Sequence, residues 1–382
     1  MKVAHVTNCY SRQNGVVVAI DEYQSGLNRF GVESIILAPD DSPSKEGVVN
    51  VKGTVWNGDC KGYSRNATFT GEIKEVLDDF DIMHIHHISA AFPGIGNPIT
   101  KEAFDFAKKM GKKIVFHNHT RSDIYFTVYH PVGTLIPLIS SEVIRKINVK
   151  NCNDADCVIA PSQSIAELLQ EWGVKSRIEV VPTSIDFEKF ASGNRKRIRA
   201  DYEIPDETLV VAYIGRISGE KNVLDLLPIA EIPGIKLMFV GDGMQKEKLE
   251  KIVRGDEELY GRGRVIFTGQ KPYSEIQDYY AAADMIVTAS QSETQCLAIW
   301  EAHAAGKPVI ALDAPGIRDY VQDRANGRLV EYKEELAGVI EILDQHRGSY
   351  RNLVEGAKKV TEERKAMKSS AERLLEIYQS LL

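Results

Sequence analysis

The sequence predicts an α/β protein of two Rossmann-like domains, each a parallel sheet covered by helices. Short β-rich apolar runs alternate with longer helical patterns almost from end to end, an order typical of parallel strands joined through helices. The 382 residues suffice for two cores of ordinary size. No stretch of about 20–50 residues recurs along the chain, so the pattern does not indicate a solenoid.

The first alternating series runs from the start of the chain to about residue 181. Apolar runs bounded by polar turns indicate its strands, and longer patterns with helical periodicity indicate its helices. The predicted strands are Lys2–Thr7, Ser34–Ala38, Ile82–His86, Lys113–His117, Cys157–Ala160 and Ile178–Val181. The predicted helices are Val16–Phe30, Gly71–Phe80, Lys101–Met110 and Ser164–Trp172.

A polar and basic segment, Phe187–Thr208, separates this series from a second one. We interpret it as the crossing between domains followed by an exposed first helix, and its Arg195–Arg199 cluster as a solvated surface. The strands predicted after it are Leu209–Gly215, Lys236–Gly241, Val265–Thr268, Met285–Thr288 and Val309–Leu312. The helices predicted between them are Val223–Ile232, Lys246–Val253, Glu275–Ala283 and Leu297–Ala305. From Glu334 to Leu382 the pattern is helical throughout.

Composition excludes several classes of function. Lys and Arg number 47 against 54 Asp and Glu, and the resulting net charge of −7 argues against a nucleic-acid partner. The sequence contains no run of about 18 apolar residues that would span a membrane. Its first residues turn polar too soon for a signal peptide, and its 5 cysteines are widely scattered, as in reduced cytoplasmic proteins. We therefore expect a cytoplasmic protein.

The most informative segment is the loop that follows Met285–Thr288 and leads into the helix near Leu297. Glu293 lies in this loop, and Glu301 lies about one turn into the helix. If the loop wraps around the helix start, the backbone N–H groups of Gln295–Leu297 converge on one point and form a site suited to a phosphate. The two carboxylates beside it could accept hydrogen bonds from a sugar diol. Alternatively, both glutamates are ordinary acids at a helix start.

A second loop between a strand and a helix carries two cations, Arg216 and Lys221, five residues apart across a glycine-containing turn. Neither has an obvious carboxylate partner, and two such cations suit a departing diphosphate because its negative charge grows as the bond breaks. The alternative is a pair of solvated loop cations, with Lys221 paired to Glu220. Ligands of such sheets lie at the carboxyl ends of the strands, which predicts a cleft between the domains.

Taken together, these segments resemble the family 4 retaining glycosyltransferases. Gly215–Lys221 is similar to the family's Gly-Arg-Leu-x-x-Glu-Lys segment, and Glu293 and Glu301 match its E-x7-E motif. The resemblance covers almost the whole chain in the right order. It implies the GT-B fold, in which a C-terminal helix crosses back to the first domain. The expected domains are residues 1–186, completed by 366–382, which would bind the acceptor, and residues 187–365, which would bind the nucleotide sugar. Further matches are Val240–Gly243, Val265–Gly269, Glu301–Val309 and Asp313–Gly316.

The resemblance implies roles for residues of the second domain. Arg216 and Lys221, which follow Gly215, would hold the diphosphate of the donor. Glu301 would bind the ribose hydroxyls of the nucleotide, and Glu293 the hydroxyls of the transferred sugar. The backbone of the loop before the helix, at Gln295, Cys296 and Leu297, would complete the donor site.

Two residues of the first domain match the family's active site. Gly15, at the start of the first helix, would let the backbone approach donor and acceptor. His119 matches the family's active-site histidine better than His117. The family needs no metal or other cofactor and keeps the anomeric configuration of its donor, and the departing phosphate helps to deprotonate the acceptor.

The sequence also departs from the family pattern. Cys296 stands where the family commonly has Gly, His303 where it has Met, and Arg324 where Gly is frequent. Pro182–Asp186 replaces the usual Pro-Asn-Gly-x-Asp. The change at Cys296 bears on the site, because a side chain there could narrow the approach of the backbone to a phosphate.

Several histidines could suggest a metal site, because alternate residues of a strand share one face. No cluster of Asp or Glu accompanies them to complete a hydrolytic set. We therefore interpret them as histidines that line a cleft at strand ends, and we expect no metal. They are His84, His86, His87, His117 and His119.

The acceptor and donor stay open at this level. We expect the donor to be a hexose activated by UDP or GDP, with UDP preferred. We expect the acceptor to be a lipid, a glycan or a small polyol. The apolar stretch of residues 131–147 ends in Arg145 and Lys146, so it could contact the inner face of a membrane or line an acceptor groove. It could equally be a core helix of the first domain. The competing functions are a GT-B nucleotide-sugar epimerase and a non-catalytic subunit that binds the nucleotide sugar.

Overall fold

The computed structural model describes residues 1–10, 14–39, 42, 45–55, 64–86, 98–124, 137–257, 259 and 263–382. The chain divides into two compact units. The first comprises Met1–Ser184 and Lys368–Leu382, and the second comprises Ile185–Met367. Each unit contains one parallel sheet with helices packed on it, which confirms the predicted pair of Rossmann-like domains.

The elements are numbered here in chain order over the described residues. The strands β1 to β15 are Lys2–Thr7, Glu33–Pro39, Val48–Val51, Gly53–Val55, Ser64–Ala67, Ile82–His86, Lys113–His117, Cys157–Ala160, Ile178–Val180, Leu209–Ile214, Ile235–Val240, Val265–Gly269, Met285–Thr288, Val309–Leu312 and Gly327–Val330. The helices α1 to α13 are Gly15–Arg29, Gly71–Asp78, Ile99–Met110, Pro137–Asn153, Gln163–Glu171, Phe187–Ala191, Arg195–Asp201, Lys246–Arg254, Ile276–Ala282, Leu297–Ala304, Glu335–Gln345, Arg347–Lys365 and Ser370–Leu381.

The sheet of the first unit has the strand order β3-β2-β1-β6-β7-β8-β9, and its paired strands are parallel. Residues such as Ala4 and Met83 pack on one face against α2, α3 and α5. The opposite face packs against α1 and α13, where Tyr23 and Tyr378 are fully buried. The final helix of the chain is therefore part of the first unit.

The sheet of the second unit has the strand order β12-β11-β10-β13-β14-β15, again with parallel pairs. The chain begins at β10 in the middle, winds outward to β12, returns to β13 and winds outward in the other direction. Two apolar clusters cover its faces, one with α11 and the 3₁₀ segment Val223–Glu231, the other with α9 and α10. The order reverses between β10 and β13, the place where sheets of this kind bind ligands.

The predicted strands inside both sheets are confirmed, with ends that differ by one residue at most. The prediction missed the edge strands β3 and β15 and the antiparallel pair β4 and β5. The helix predicted over Val223–Ile232 is instead a 3₁₀ segment, Val223–Glu231. Pro228 lies inside it, and a proline has no N–H for the regular helical hydrogen bond. The all-helical tail is confirmed by α11, α12 and α13.

The prediction that the Arg195–Arg199 cluster is a solvated surface holds for Lys196 and Arg197, which are exposed, but it is wrong for Arg199. Arg199 is buried, and its guanidinium lies 2.8 Å from the carboxylate of Asp284. Arg195 reaches the same carboxylate at 3.0 Å, and Arg197 lies 2.6 Å from Asp278. The three arginines of α7 therefore bind the chain around α9 and β13.

The stretch 131–147 is covered only in part, since residues 131–136 lie outside the described residues. Its remainder begins α4, in which Ile144, Asn148 and Cys152 are buried along one face. The Nη2 atom of Arg145 lies 3.7 Å from Oδ2 of the buried Asp123. Within the described part of the chain, no helix combines the length and the apolar character needed to cross a bilayer.

Candidate functional site

The loops that follow β10 and β13 lie side by side in the second unit, because these two strands are neighbours in the sheet. The Asn222 side chain donates to the Ala289 carbonyl at 3.0 Å and ties the first loop to the second. Asn222 has a positive φ of 52°, a conformation that asparagine tolerates better than most residues. The sequence-predicted residues Arg216, Lys221 and Glu293 therefore lie at one edge of one sheet.

Two glycines allow the backbone segments at this edge to approach closely. A Cβ at Gly241 would lie 1.9 Å from the Gly215 carbonyl oxygen, where no side chain can be placed. A Cβ at Gly316 would lie 2.6 Å from the Glu293 carbonyl oxygen, and its φ of 76° also favours glycine. The sequence segments that contain Gly241 and Gly316 thus shape the loops around Gly215 and Glu293.

Lys221 and Glu293 form an ion pair at the centre of this edge. The Lys221 Nζ lies 2.6 Å from Glu293 Oε1, and their side chains are only 11% and 18% exposed. Burial by itself would raise the pKa of Glu293, but the charge of Lys221, hydrogen bonds from Lys221 and Ser290, and the charge of Arg216 hold it below its ordinary value. Glu293 is therefore ionised at neutral pH.

The expectation that the two cations have no carboxylate partners is wrong. Lys221 is paired with Glu293, and the Arg216 Nε lies 3.9 Å from Glu220 Oε1. Glu220 is itself buried and accepts a hydrogen bond from Ser218 at 2.7 Å. The Arg216 side chain remains 47% exposed, so a ligand can reach it.

Helix α10 begins directly after Cys296, whose side chain makes no capping hydrogen bond. Cys296 has φ 55° and ψ 73°, in the left-handed region. This turn explains the glycine of the family pattern, because a glycine adopts a positive φ freely whereas other residues lose about 1–2 kcal/mol. Burial, followed by the charge of Glu293, raises the pKa of the Cys296 thiol, which therefore stays protonated.

Glu301 is buried on α10 and holds two tyrosine hydroxyls. Tyr273 donates to its Oε1 at 3.0 Å and Tyr280 to its Oε2 at 2.5 Å. Burial raises the pKa of Glu301, although both hydrogen bonds and the charge of Lys189 act in the opposite direction. A carboxylate has about four acceptor positions, so two remain for further hydroxyls. Besides burial, the charges of Glu293 and Glu301 raise the pKa of the Cys296 thiol, whereas that of Lys221 lowers it.

The matching position in the first unit lies between β1 and β6, where the strand order of its sheet reverses. Gly15 is the first residue of α1, and the Asn14 side chain caps this helix by accepting from the N–H groups of Val16 and Val17, both at 3.0 Å. A small pocket at these strand ends is lined by Thr7, Asn8, Cys9, Asn14, Val16, His86 and Thr120.

The histidines form a layer between the first sheet and α1. Their rings stack, with 14° between the planes of His117 and His119 and 28° between those of His84 and His86. Burial lowers the pKa of the imidazoles at His84, His86 and His117, so these rings are neutral. His87 lies outside the described residues. The layer also includes His5, on β1, which the sequence prediction missed.

Two groups of these histidines have nitrogens close enough together to be considered as metal ligands, His5, His84 and His86, and His86, His117 and His119. A metal ion lies about 2.0–2.1 Å from each imidazole nitrogen and close to the plane of each ring. Rings stacked as nearly parallel as His117 and His119, with centroids 3.7 Å apart, cannot direct their lone pairs to a common point. In the group of His86, His117 and His119, the geometry therefore favours a hydrogen bond, with His86 Nδ1 2.9 Å from His119 Nε2, over metal ligation.

The two parallel α/β units have the GT-B fold. Residues 194–360 match the family described as Glycosyl transferases group 1, and residues 13–189 match Glycosyltransferase Family 4. Together the two matches account for most of both units. The chain belongs to glycosyltransferase family 4.

Two named relatives match large parts of the chain. An α-monoglucosyldiacylglycerol synthase of Streptococcus pneumoniae is 33% identical over 245 residues, which cover 61% of this chain and 54% of that one. The chain thus spans about half the length of that relative. A GDP-mannose-dependent α-mannosyltransferase of Mycobacterium tuberculosis is 26% identical over 364 residues, with 92% and 90% of the two chains covered.

Solved structures have the same fold. The structure of Anabaena Alr3699/HepE in complex with UDP aligns over 100% of both chains with a TM-score of 0.76 at 18% identity. Sucrose-phosphate synthase from Thermosynechococcus elongatus aligns over 100% of this chain and 99% of its own, with a TM-score of 0.75 at 18% identity. Both likenesses concern the fold alone.

Sequence reasoning missed the groups that support the site. Tyr273 and Tyr280 carry no motif that would link them to Glu301. Asn222 follows Lys221 directly, yet its bond to Ala289 depends on the pairing of β10 with β13. These partners are distant in sequence and become visible only when the sheet is assembled.

Proposed function

We propose that this protein is a retaining glycosyltransferase that transfers a hexose from a nucleotide sugar to a lipid, glycan or small polyol acceptor without a metal. Of the two candidate nucleotides, UDP is preferred over GDP as the carrier of the hexose. The observation that carries the proposal is the buried Lys221–Glu293 pair, with 2.6 Å between Nζ and Oε1, close to the start of α10. A cation, an ionised carboxylate and a helix N-terminus together suit a sugar diphosphate.

In this proposal the cations bind the diphosphate. The Lys221 ammonium has three donors and can serve Glu293 and a phosphate oxygen at once. Arg216, with its exposed guanidinium, and the first N–H groups of α10, at Leu297 and after it, add positive potential. Negative charge grows on the diphosphate as its bond to the anomeric carbon breaks, so these groups stabilise the transition state more than the ground state.

The two glutamates bind hydroxyls in different parts of the donor. Glu293 is ionised at neutral pH because its pKa lies below the ordinary value, so it can accept hydrogen bonds from the transferred sugar. Glu301 would accept from the ribose, with Tyr273 and Tyr280 holding its carboxylate in place. Gly215, Gln295 and the backbone at Cys296 would line the same donor site.

The reaction exchanges one bond at the anomeric carbon for another. The carbon–oxygen bond to the diphosphate breaks, and the acceptor oxygen forms its bond on the same face. The acceptor proton passes to an oxygen of the departing phosphate, so the products are a glycoside and a nucleoside diphosphate. His119 and Gly15, in the first unit, would contact the reacting sugar and the acceptor.

The acceptor would bind to the first unit, and a lipid is one candidate. The pneumococcal relative is by name a glucosyldiacylglycerol synthase, which supports a lipid acceptor, whereas the mycobacterial relative is by name a mannosyltransferase that depends on GDP-mannose. A cytoplasmic enzyme with a lipid acceptor would work at the inner face of the membrane, with the stretch 131–147 as the contact.

Turnover of UDP- and GDP-sugars, measured with acceptor panels in the presence of EDTA, tests the proposal. We expect the wild type to release nucleoside diphosphate and to form a product with the anomeric configuration of the donor. Glu293→Gln and Lys221→Met should each lower kcat/KM by about 100-fold or more, as the loss of one transition-state partner does. Lys333→Met, which removes a surface ion pair of 2.9 Å with Asp225 in the same unit, should leave it unchanged.

Other outcomes would contradict the proposal. A new nucleotide sugar formed without any acceptor would indicate an epimerase. Binding of donor without turnover for every acceptor and without slow hydrolysis would indicate a non-catalytic subunit. Full activity in both Glu293→Gln and Lys221→Met would refute the roles given to the ion pair.

A further inference from the structure

Three histidines of the first unit are joined in a row by hydrogen bonds. His5 Nδ1 lies 3.0 Å from His86 Nε2, and His86 Nδ1 lies 2.9 Å from His119 Nε2. His5 is on β1, His86 ends β6, and His119 follows β7 by two residues. The His5 and His86 rings are buried, and the row ends at the residue proposed to contact the reacting sugar.

The inner members of the row are neutral. Burial lowers the pKa of His5 to about 3, and burial with the neighbouring imidazoles lowers that of His86 well below its ordinary value. A neutral imidazole has one N–H and one lone pair. His86 can therefore donate to only one neighbour and must accept from the other. Both hydrogen bonds consequently run in the same direction along the row.

The far end of the row determines this direction. The His5 Nε2 atom is buried, and it has no hydrogen-bond partner among the described residues. If His119 donated to His86 and His86 donated to His5, the Nε2 of His5 would carry a proton and leave a buried N–H unpaired. If instead His5 donates to His86 and His86 donates to His119, the Nε2 of His5 carries only a lone pair. A buried acceptor without a partner is tolerated better than a buried donor without one. The second direction is therefore favoured.

We propose that His86 is a positioning residue that donates from Nδ1 to Nε2 of His119 and so holds His119 in the tautomer protonated at Nδ1. His119 then offers a hydrogen-bond donor at Nδ1, suited to an oxygen of the sugar, and does not serve as the base for the acceptor proton. The role toward substrate rests on the proposed function, whereas the tautomer is a property of the protein alone.

The tautomer can be measured without any substrate. In a histidine-¹⁵N-labelled sample, two-bond ¹H–¹⁵N spectra distinguish a protonated from an unprotonated ring nitrogen, with His119→Gln used for assignment. We expect a protonated Nδ1 and an unprotonated Nε2 at His119 in the wild type at neutral pH. A protonated Nε2, or stoichiometric zinc bound by these histidines in the purified protein, would overturn the proposal even if the enzyme transfers sugar as expected.

Variants separate positioning from packing. His86→Leu removes the donor, whereas His86→Asn keeps an N–H₂ group close to the place of Nδ1. His84→Leu is the matched control, because His84 is buried on the same strand and bonds through Nδ1 to Tyr378.

We expect His86→Leu to change the His119 tautomer and to lower kcat/KM by about tenfold, with His86→Asn restoring most of both. His84→Leu should change neither. An unchanged His119 tautomer in His86→Leu would overturn the proposal, as would an equal change of that tautomer in His84→Leu. If His86→Leu does not fold, the wild-type spectrum and His86→Asn still decide the matter.

Discussion

Replacing Glu22 with glutamine should stabilise the first unit at alkaline pH and leave its stability unchanged at acidic pH. Glu22 lies on α1 and accepts a hydrogen bond from Ser370 at the start of α13. Ser370 also contacts Ser184, with 3.1 Å between the hydroxyl oxygens. Glu22 therefore sits where the chain leaves the first unit and where it returns.

The size of the change in the free energy of unfolding follows from the pKa of Glu22. Burial raises the pKa of Glu22 from 4.5 to about 7, against the opposing influences of the Ser370 hydrogen bond and the Arg29 charge. Between these two values the folded protein holds a proton that the unfolded chain has released, so stability falls as the pH rises. At about 1.4 kcal/mol for each pH unit, the loss is complete above pH 7 and amounts to about 3 kcal/mol. Glutamine cannot ionise and escapes this loss.

Urea unfolding between pH 4.5 and 8.5, followed by hydrogen exchange of peptides from α1 and α13, measures the effect in the first unit. The free energy of unfolding of Glu22→Gln should equal that of the wild type at pH 4.5 and exceed it by about 3 kcal/mol at pH 8. Glu167→Gln, at an exposed site on α5, is the control and should follow the wild type throughout. Parallel curves for Glu22→Gln and the wild type would refute the reasoning.

Two further predictions concern the second unit. Lys221→Met should lower the free energy of unfolding by about 2–3 kcal/mol, because it leaves the Glu293 carboxylate buried without a cation. In urea unfolding, adding Glu293→Gln should recover most of this loss, whereas purely additive losses would argue against a coupled pair. Cys296→Gly should change stability by less than about 1 kcal/mol, because the relief of backbone strain is offset by the greater conformational freedom that glycine loses on folding. Cys296→Val should cost about 2 kcal/mol more, because a β-branched residue is strained at positive φ. Equal thermal unfolding temperatures for the two Cys296 variants would contradict the strained turn.

The interior of both sheets could be predicted from the sequence because each strand there is a short, continuous apolar run. The missed strands are of another kind. β3 and β15 lie at sheet edges and form only by pairing with β2 and β14. Gly327–Val330 is short, begins with glycine and contains an arginine, so its own composition does not indicate a strand.

The candidate site was predictable as a set of residues but not as a set of contacts. The motifs indicated Arg216, Lys221 and Glu293, yet the pairing of Lys221 with Glu293 depends on the adjacency of β10 and β13. The error at the arginine cluster has the same origin. Arg199 and its partner Asp284 are 85 positions apart, so the sequence shows the cations without the acid that binds them.

Part of the histidine layer was visible in the sequence as alternate residues along two strands, His84 and His86 on β6 and His117 and His119 at the end of β7. The direction of its hydrogen bonds was not visible, because that direction depends on His5 from β1 and on the burial of His5 and His86. The sequence pattern predicts that these histidines share one face of the sheet. The order of the hydrogen bonds between them is seen only in the assembled sheet.

The central claim is that the Lys221–Glu293 site recognises a sugar diphosphate. Thermal unfolding of the wild type and of Lys221→Met with UDP, GDP, their sugars and free uridine tests it most directly. A nucleotide or nucleotide sugar at about 100 times its Kd should stabilise the wild type by about 2.7 kcal/mol. Uridine, which has no diphosphate, should have little effect, and Lys221→Met should lose most of the stabilisation. Equal stabilisation by uridine and UDP, or an undiminished response in Lys221→Met, would contradict the claim.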